Sequence, residues 1–219
     1  MLEKDGIIYE ILQNQDLLKI IECVVNVFPI SEPLTKSLEI TQEEFYPFAE
    51  IICQKALEDR LSHVAKDIHT GEVIGFRISN YLFSNGDNEK NETNQEKNYK
   101  FFKFQPIIFL LEQLEQKYLH NKILKRGQIL HLFMLGVDAR YRNRNIAKYL
   151  IKENIEYAKK QGFSIAICEA TGTISQHNAF KLGFTEIVSI NYQDYEYQGM
   201  KVFANITSHQ KCMLMEKIL

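Results

Sequence analysis

The sequence predicts an α/β fold, and three stretches carry the prediction. Ile129 to Val137 is an apolar run of one buried strand's length; behind it Ile146, Leu150, Ile151, Ile155 and Ala158 recur three or four apart, on one helix face. Phe163 to Ala170, with Ile165, Ile167 and Cys168, supplies a second short apolar strand after that helix. Upstream, Ser62 to Ile68 and Glu72 to Asn80 read as a hairpin turning at His69-Thr70-Gly71.

The remaining elements follow in chain order. Gly6 to Leu12 reads as a first strand, and Gln15 to Phe28 as an amphipathic helix carrying Leu17, Leu18, Ile21, Val24, Val25 and Val27. Pro29 and Pro33 bracket Glu32 in a segment that cannot be continuous helix, which places Glu32 at or just before a helix start. A carboxylate there reads equally as a cap, since acids favour helix N-termini, or as a reactive group. Thr41 to Glu44 has the form of a capping box, opening a helix to about Arg60 on Phe45, Phe48, Ile51, Ile52, Ala56 and Leu57. Ser84 to Lys100 is rich in Asn, Glu and Lys and lacks apolar anchors, so a mobile inserted loop is expected. Gln105 to Leu119 recovers helical periodicity, and alternating Met213 and Met215, with Ile218 after them, suit a closing strand against the core.

Composition narrows the function. With 219 residues, 45% of them hydrophobic, and a net charge of -2, the chain suits one globular domain over residues 1 to 219 and argues against a nucleic-acid surface. Cys23, Cys53, Cys168 and Cys212 show no C-x-x-C spacing and no histidines at ligand intervals, so free thiols in a reducing compartment are expected, and no metal site. There is no N-terminal signal pattern and no apolar run of about 18 residues, which makes a soluble, cytoplasmic protein without a membrane partner the expectation.

Two junctions are candidates for chemistry. Between the strand ending at Val137 and the following helix, Arg140, Arg142 and Arg144 gather, with Lys148 one turn on. A helix start offers unpartnered N–H groups and the positive end of its dipole, and arginines add charge-assisted bonds to phosphate oxygens. Asn145 and Ala147 are small, as close backbone approach requires, and Asn tolerates a left-handed backbone or serves as an N-cap. Charge and spacing alone fit either a phosphate site or a solvated basic loop. The second junction follows Ala170, where Thr171 and Ser175 are hydroxyls at i and i+4, at the strand end where open α/β sheets bind ligands. An N-capping threonine and a surface serine fit that spacing as well. His177, a lone histidine on a helix face, reads as structural.

A family resemblance adds to this reading. Arg142-Asn143-Arg144-Asn145-Ile146-Ala147 resembles the R/Q-x-x-G-x-G/A loop of the GCN5-related N-acetyltransferases, with Asn145 in place of the first glycine and Ala139 in place of the usual upstream proline. Phe28 to Leu34 resembles the [DS]-E-P-L stretch of the arylalkylamine N-acetyltransferase-like branch, with Ser31 before the glutamate. Ser175 to Phe184 matches that family's segment ending K-L-G-F, with Ala179 where many members carry a tyrosine that protonates the CoA thiolate. The tail agrees at Tyr192, Asp194, Tyr195, Gly199, Phe203, His209, Met215, Lys217 and Leu219.

The resemblance implies a mixed, mostly antiparallel sheet of six to seven strands flanked by helices and splayed before the Arg142 loop. It implies acetyl-CoA as cosubstrate and a small primary amine, an arylalkylamine or a polyamine, as acceptor, in a monomer or homodimer. Arg142, Asn143, Arg144, Asn145, Ile146, Ala147 and Lys148 would hold the diphosphate. Leu135, Gly136 and Val137 would offer backbone to the pantetheine or the thioester carbonyl. Glu32 would be the general base, with Thr171 and Ser175 in proton transfer and substrate binding. The cluster of Tyr192, Tyr195, Tyr197 and Phe203 fits an amine pocket or sheet packing. Acetylation of a peptide amine, and a CoA-binding regulatory module without turnover, are the alternative functions.

Overall fold

The computed structural model describes residues 1–82, 101–120, 122 and 127–219, so the expected loop from Ser84 to Lys100 lies outside the described residues. The strands are β1 (Leu2–Lys4), β2 (Ile7–Ile11), β3 (His63–Asp67), β4 (Val73–Tyr81), β5 (Ile129–Val137), β6 (Ile165–Ala170), β7 (Thr185–Asn191) and β8 (Lys211–Ile218). They form one eight-stranded sheet in the order β1-β2-β3-β4-β5-β6-β8-β7. The expected count of six to seven is corrected by the N-terminus: the predicted first strand is a hairpin that turns at Asp5 and Gly6, both at positive φ. The three residues of β1, Leu-Glu-Lys, are too short and too charged to announce a strand.

Strand alternation sends side chains to two helical layers. On one face lie α1 (Leu17–Ser31), α2 (Pro33–Ser37), α3 (Gln42–Asp59) and α4 (Gln105–Leu119), meeting Phe76 and Ile78 of β4, Ile129 of β5, Ile167 of β6 and Leu214 of β8. On the other lie α5 (Ile146–Lys160) and α6 (Thr173–Lys181), covering Leu130, Leu132, Ala166, Ala170 and Met215. The predicted α5 face of Ile146, Leu150, Ile151, Ile155 and Ala158 is buried throughout. No helix among the described residues is long and apolar enough to cross a membrane.

Local expectations are refined at three places. Helix α1 runs through Pro29 to Ser31, because a proline near a helix's end removes only one bond. The closing strand is an inner one, with β7 at the edge; Met213 and Met215 are buried, but Ile218 at its end is exposed. Tyr192, Tyr195 and Phe203 are fully buried core, with Tyr195 and Phe203 stacked at 5.4 Å, so these three pack the fold.

What positions the site is the middle of the sheet. Every neighbouring pair is antiparallel except β5 and β6, which run parallel and pair only at Ile129↔Ile165, Leu130↔Ala166 and His131↔Ile167. Beyond that point β5 follows β4 to Val137 and β6 follows β8 to Ala170. The two strands therefore part, and one edge of β5 from Leu132 onward presents unpaired backbone to the opening. A bulge between Ile78 and Ser79 leaves Phe133 without a partner on β4 and adds the local twist that helps them diverge. Gly136 is dictated by packing: a side chain there would lie 2.4 Å from Phe76 Cζ and 2.9 Å from Val27 Cγ1.

A buried polar network fastens α5 to this sheet. Asn154 donates from Nδ2 to the Leu61 carbonyl at 2.5 Å and lies 3.0 Å from His63 Nδ1, while its Oδ1 accepts from the Ser79 hydroxyl at 2.8 Å. Burial pushes the His63 pKa down from 6.5 to about 4, so the folded protein holds a neutral imidazole. The unfolded chain then binds more protons between those values, and stability must fall as pH drops through them.

Two predictions follow from the packing. Because one pKa unit is about 1.4 kcal/mol, His63 contributes a loss of about 3 kcal/mol on going from neutral pH to pH 4. Urea unfolding across that range should show a shallower pH slope in His63→Asn, whose Oδ1 replaces Nδ1 as acceptor. Gly136→Ala should destabilise by about 1–3 kcal/mol through overpacking, and Phe76→Leu in the same chain should restore part of the loss in thermal denaturation.

Candidate active site

Glu32 sits on the seam between α1 and α2. Its backbone is extended, Pro33 occupies the first position of α2, and Glu32 Oε2 accepts the Thr35 N–H at 2.7 Å. The capping role foreseen for this carboxylate is therefore real. Yet it engages one oxygen only: Oε1 is buried and has no hydrogen-bond partner among the described residues. An ionised carboxylate oxygen kept from water without a donor is costly, and an incoming N–H would satisfy it.

The second junction lies against the first. A side chain at Gly172 would meet Pro33 Cγ at 3.4 Å and His209 Cε1 at 3.8 Å. Helix α6 starts at Thr173, two residues later than a shared Thr171–Ser175 face requires, so Thr171 lies before the N-cap Gly172. The Thr171 carbonyl accepts the buried Tyr192 hydroxyl at 2.6 Å. The Ser175 hydroxyl takes the Gly172 N–H at 3.1 Å and donates to the Gly172 carbonyl at 2.7 Å, which makes it a local clasp. His209 joins this corner from the tail, with Nδ1 accepting the Thr173 N–H at 3.2 Å.

The basic junction is sorted by the structure into three different jobs. Arg140 is held by Asp138 at 2.7 Å and reaches Glu72 at 3.5 Å, and Asp138 keeps its carboxyl below the usual range through that bond. Arg144 donates to the Asp5 carbonyl at 2.7 Å and lies over Tyr141, pinning the β1–β2 turn. Arg142 and Lys148 are exposed and have no ion-pair partner among the described residues. Asn143 and Asn145 both take the left-handed conformation, at φ +64° and +57°, and Asn145 is the N-cap of α5. Asn thus supplies the turn for which glycine is the usual residue. The first-turn N–H groups of Ile146, Ala147 and Lys148 have no carbonyl one turn before them inside the helix, and they point with its dipole toward the loop. Ile146 is buried under Gly75, and Leu135 and Val137 are half-buried on β5 beyond the split, with Gly136 between them.

Three polar residues inside apolar strands escaped the sequence reading, which looked for charge at junctions. His131 Nε2 lies 2.6 Å from Glu169 Oε2 across the last paired rung of β5 and β6. Burial works against the imidazolium, but the Glu169 carboxylate outweighs it and holds the His131 pKa above its ordinary value. On β4, opposite Leu135, Arg77 is only 5% exposed, and its Nε has no partner. Their shared signal is a charged or titratable residue within ILHLFMLGV, VIGFRISN and AICEA.

The fold is shared with known proteins. Residues 31–184 match the model of the Acetyltransferase (GNAT) family. Arylalkylamine N-acetyltransferase 2 from Aedes aegypti superposes with a TM-score of 0.83 at 29% identity, over 98% of this chain and 99% of that one. The Drosophila melanogaster polyamine N-acetyltransferase, which catalyses formation of N-acetylagmatine, gives 0.78 at 19% identity, over 97% of this chain and all of that one. The C-terminal condensation domain of Ebony, in complex with beta-alanyl-dopamine, gives 0.81 at 20% identity over the full length of both. These last two identities speak for the fold alone. A match running from the Ser31-Glu32 seam through the basic loop to Phe184, with a parted sheet between, places the chain in the GNAT acetyltransferase family, in its arylalkylamine N-acetyltransferase-like branch.

Proposed function

We propose that this acetyltransferase moves an acetyl group from acetyl-CoA to a small primary amine, an arylalkylamine or a polyamine, with Glu32 as general base. The observation that carries the reading is the buried, partnerless Glu32 Oε1 beside the Gly172 corner. An alkylamine is almost wholly protonated at neutral pH, so its nitrogen needs a base before it attacks. The second oxygen, fixed by the Thr35 N–H, sets the carboxylate's orientation, which leaves Oε1 to take the proton.

The residues present fit a CoA thioester. Left-handed Asn145 lets the α5 N-terminus face the loop, and Arg142 and Lys148 are unengaged cations on its rim, so diphosphate oxygens meet N–H groups and charge together. The unpaired edge of β5 through Leu135, Gly136 and Val137 offers backbone donors and acceptors to an amide-bearing arm. When bound, the thioester supplies an activated acetyl group; the protein supplies orientation and the base. Asn143, Arg144, Ile146 and Ala147 shape the loop, with Arg144 acting through the Asp5 carbonyl. Ser175 acts as a positioning group through its clasp on Gly172, and Thr171 lines the acceptor side, its carbonyl tied to Tyr192. The 29% identical arylalkylamine N-acetyltransferase supports the arylalkylamine class.

The test is thiol release from acetyl-CoA with a panel of arylalkylamines, polyamines and peptide amines. Release that depends on a small amine is expected; release with peptides only would replace the substrate class. Glu32→Gln should lower kcat/KM by about 10²-fold at neutral pH, and its residual rate should climb with pH as free amine accumulates. Full turnover across the pH range in that variant would remove Glu32 from the mechanism. Arg142→Ala should weaken acetyl-CoA binding about tenfold in calorimetry, whereas Arg140→Ala, already neutralised by Asp138, should change it far less.

A further inference from the structure

The site as described has a base for the amine but no group for the sulfur. Ala179 of α6 carries no proton to give, and the Ser175 hydroxyl is engaged with Gly172. Arg77 is a cation in an unusual position. It comes from the centre of the sheet, is buried, and its side chain makes no hydrogen bond and no ion pair among the described residues. Its Nε is sealed from solvent. A buried guanidinium kept only for the fold is expected to have a carboxylate or carbonyls on its five donors.

Its surroundings locate the charged end. Arg77 pairs by register with Leu135, in the part of β5 that has left β6. Its charge acts on Cys168 and Glu169 of β6, and on His131, the last β5 residue paired with β6. By strand alternation the side chain shares with Gly75 and Ser79 the face covered by α5, beside the stretch of β5 that has left β6. The other ionisable groups around that point are already committed or neutral. Glu169 is bound to His131, burial pushes the Cys168 thiol up to about 12, and burial raises Glu115 on α4. Desolvation draws Arg77 down to about 10, still fully charged at neutral pH.

We propose that Arg77 is a catalytic residue of this acetyltransferase: its guanidinium donates hydrogen bonds to the thioester sulfur where β5 and β6 part, and stabilises the thiolate as it leaves. The inference rests on the acetyl-transfer reading above. As the amine nitrogen bonds to the acetyl carbon, the C–S bond breaks and its electron pair departs on sulfur. The proton lost by the amine is held by Glu32 and passes to solvent, and the thiolate is released as the anion or protonated by water. Arg77 gives up no proton, because a guanidinium stays protonated; its part is electrostatic, in a site where water is scarce. The same sparseness of partners that makes Arg77 available makes it costly to the fold.

Arg77→Met and Arg77→Lys test this against wild type by three measurements besides turnover. These are thermal unfolding without ligand, calorimetric binding of acetyl-CoA, and the pH at which the thiol of bound CoA ionises, followed by thiolate ultraviolet absorption. Arg77→Met is expected to unfold at the same or higher temperature, to bind acetyl-CoA within about threefold of wild type, and to lose roughly 10²-fold in kcat. The thiol of bound CoA should ionise at lower pH than free CoA in wild type and return to the free value in Arg77→Met, with Arg77→Lys between. Unchanged thiol ionisation in Arg77→Met overturns the proposal. So does an Arg77→Met that melts early while Arg77→Lys keeps full turnover, which would make the residue structural. A wild-type protein that neither binds acetyl-CoA nor releases thiol with any amine would instead remove the acetyl-transfer reading itself.

Discussion

Three residue pairs of parallel ladder decide the character of this molecule. β5 and β6 hold each other only from Ile129 to His131, and the proposed thioester site lies where that pairing stops. A longer ladder would close the sheet and satisfy the backbone of Leu135 to Val137; a shorter one would loosen β6 and β8 from the rest of the sheet. The Phe133 bulge, the Gly136 contact with Phe76 and the His131–Glu169 pair all sit within a few residues of the divide, and each acts on the angle at which the strands leave one another. A parallel pair left open in the middle of a sheet exposes unsatisfied backbone, which a bound arm can use and a core could not tolerate.

Around that divide the chain assembles two corners from opposite faces. The α1–α2 seam brings Glu32 to the Gly172 turn, and the β5–α5 connection brings Arg142 and Lys148 to the far mouth. The seam depends on two prolines with different effects: Pro29 is absorbed near the end of α1, whereas Pro33 starts α2 and forces Glu32 into an extended backbone. The carboxylate thus caps α2 with one oxygen, while the same turn leaves the other buried without a hydrogen-bond partner. A structural cap and the proposed base are compatible readings of Glu32, since the cap uses Oε2 and leaves Oε1 unpartnered.

Legibility in the sequence divides along the distance over which each feature is determined. The capping box at Thr41, the α5 face from Ile146 to Ala158 and the helix start after Glu32 are local, and their residues announce them. Resemblance supplied the family and the positions of the loop. What remained hidden is what only strand pairing creates. His131, Glu169 and Arg77 come from three strands, and nothing in any one of them says that the other two are adjacent. The fate of Tyr192, Tyr195 and Phe203 was equally undetermined, because an aromatic cluster in a tail reads alike as pocket or core until the helix that covers it is placed. The three arginines at the basic junction looked equivalent, and only the fold separates the one held by Asp138 from the one hooked on Asp5 and the one left unengaged.

That hook ties together parts of the chain that the sequence keeps far apart. Arg144 reaches from the loop before α5 to the carbonyl of Asp5, in the turn of the N-terminal hairpin at the outer edge of the sheet. The N-terminal hairpin is therefore a guy-line for the basic loop, the proposed diphosphate site. Removing the hairpin turn at Asp5 and Gly6 would slacken that line and loosen the basic loop from a point more than a hundred residues away in the sequence.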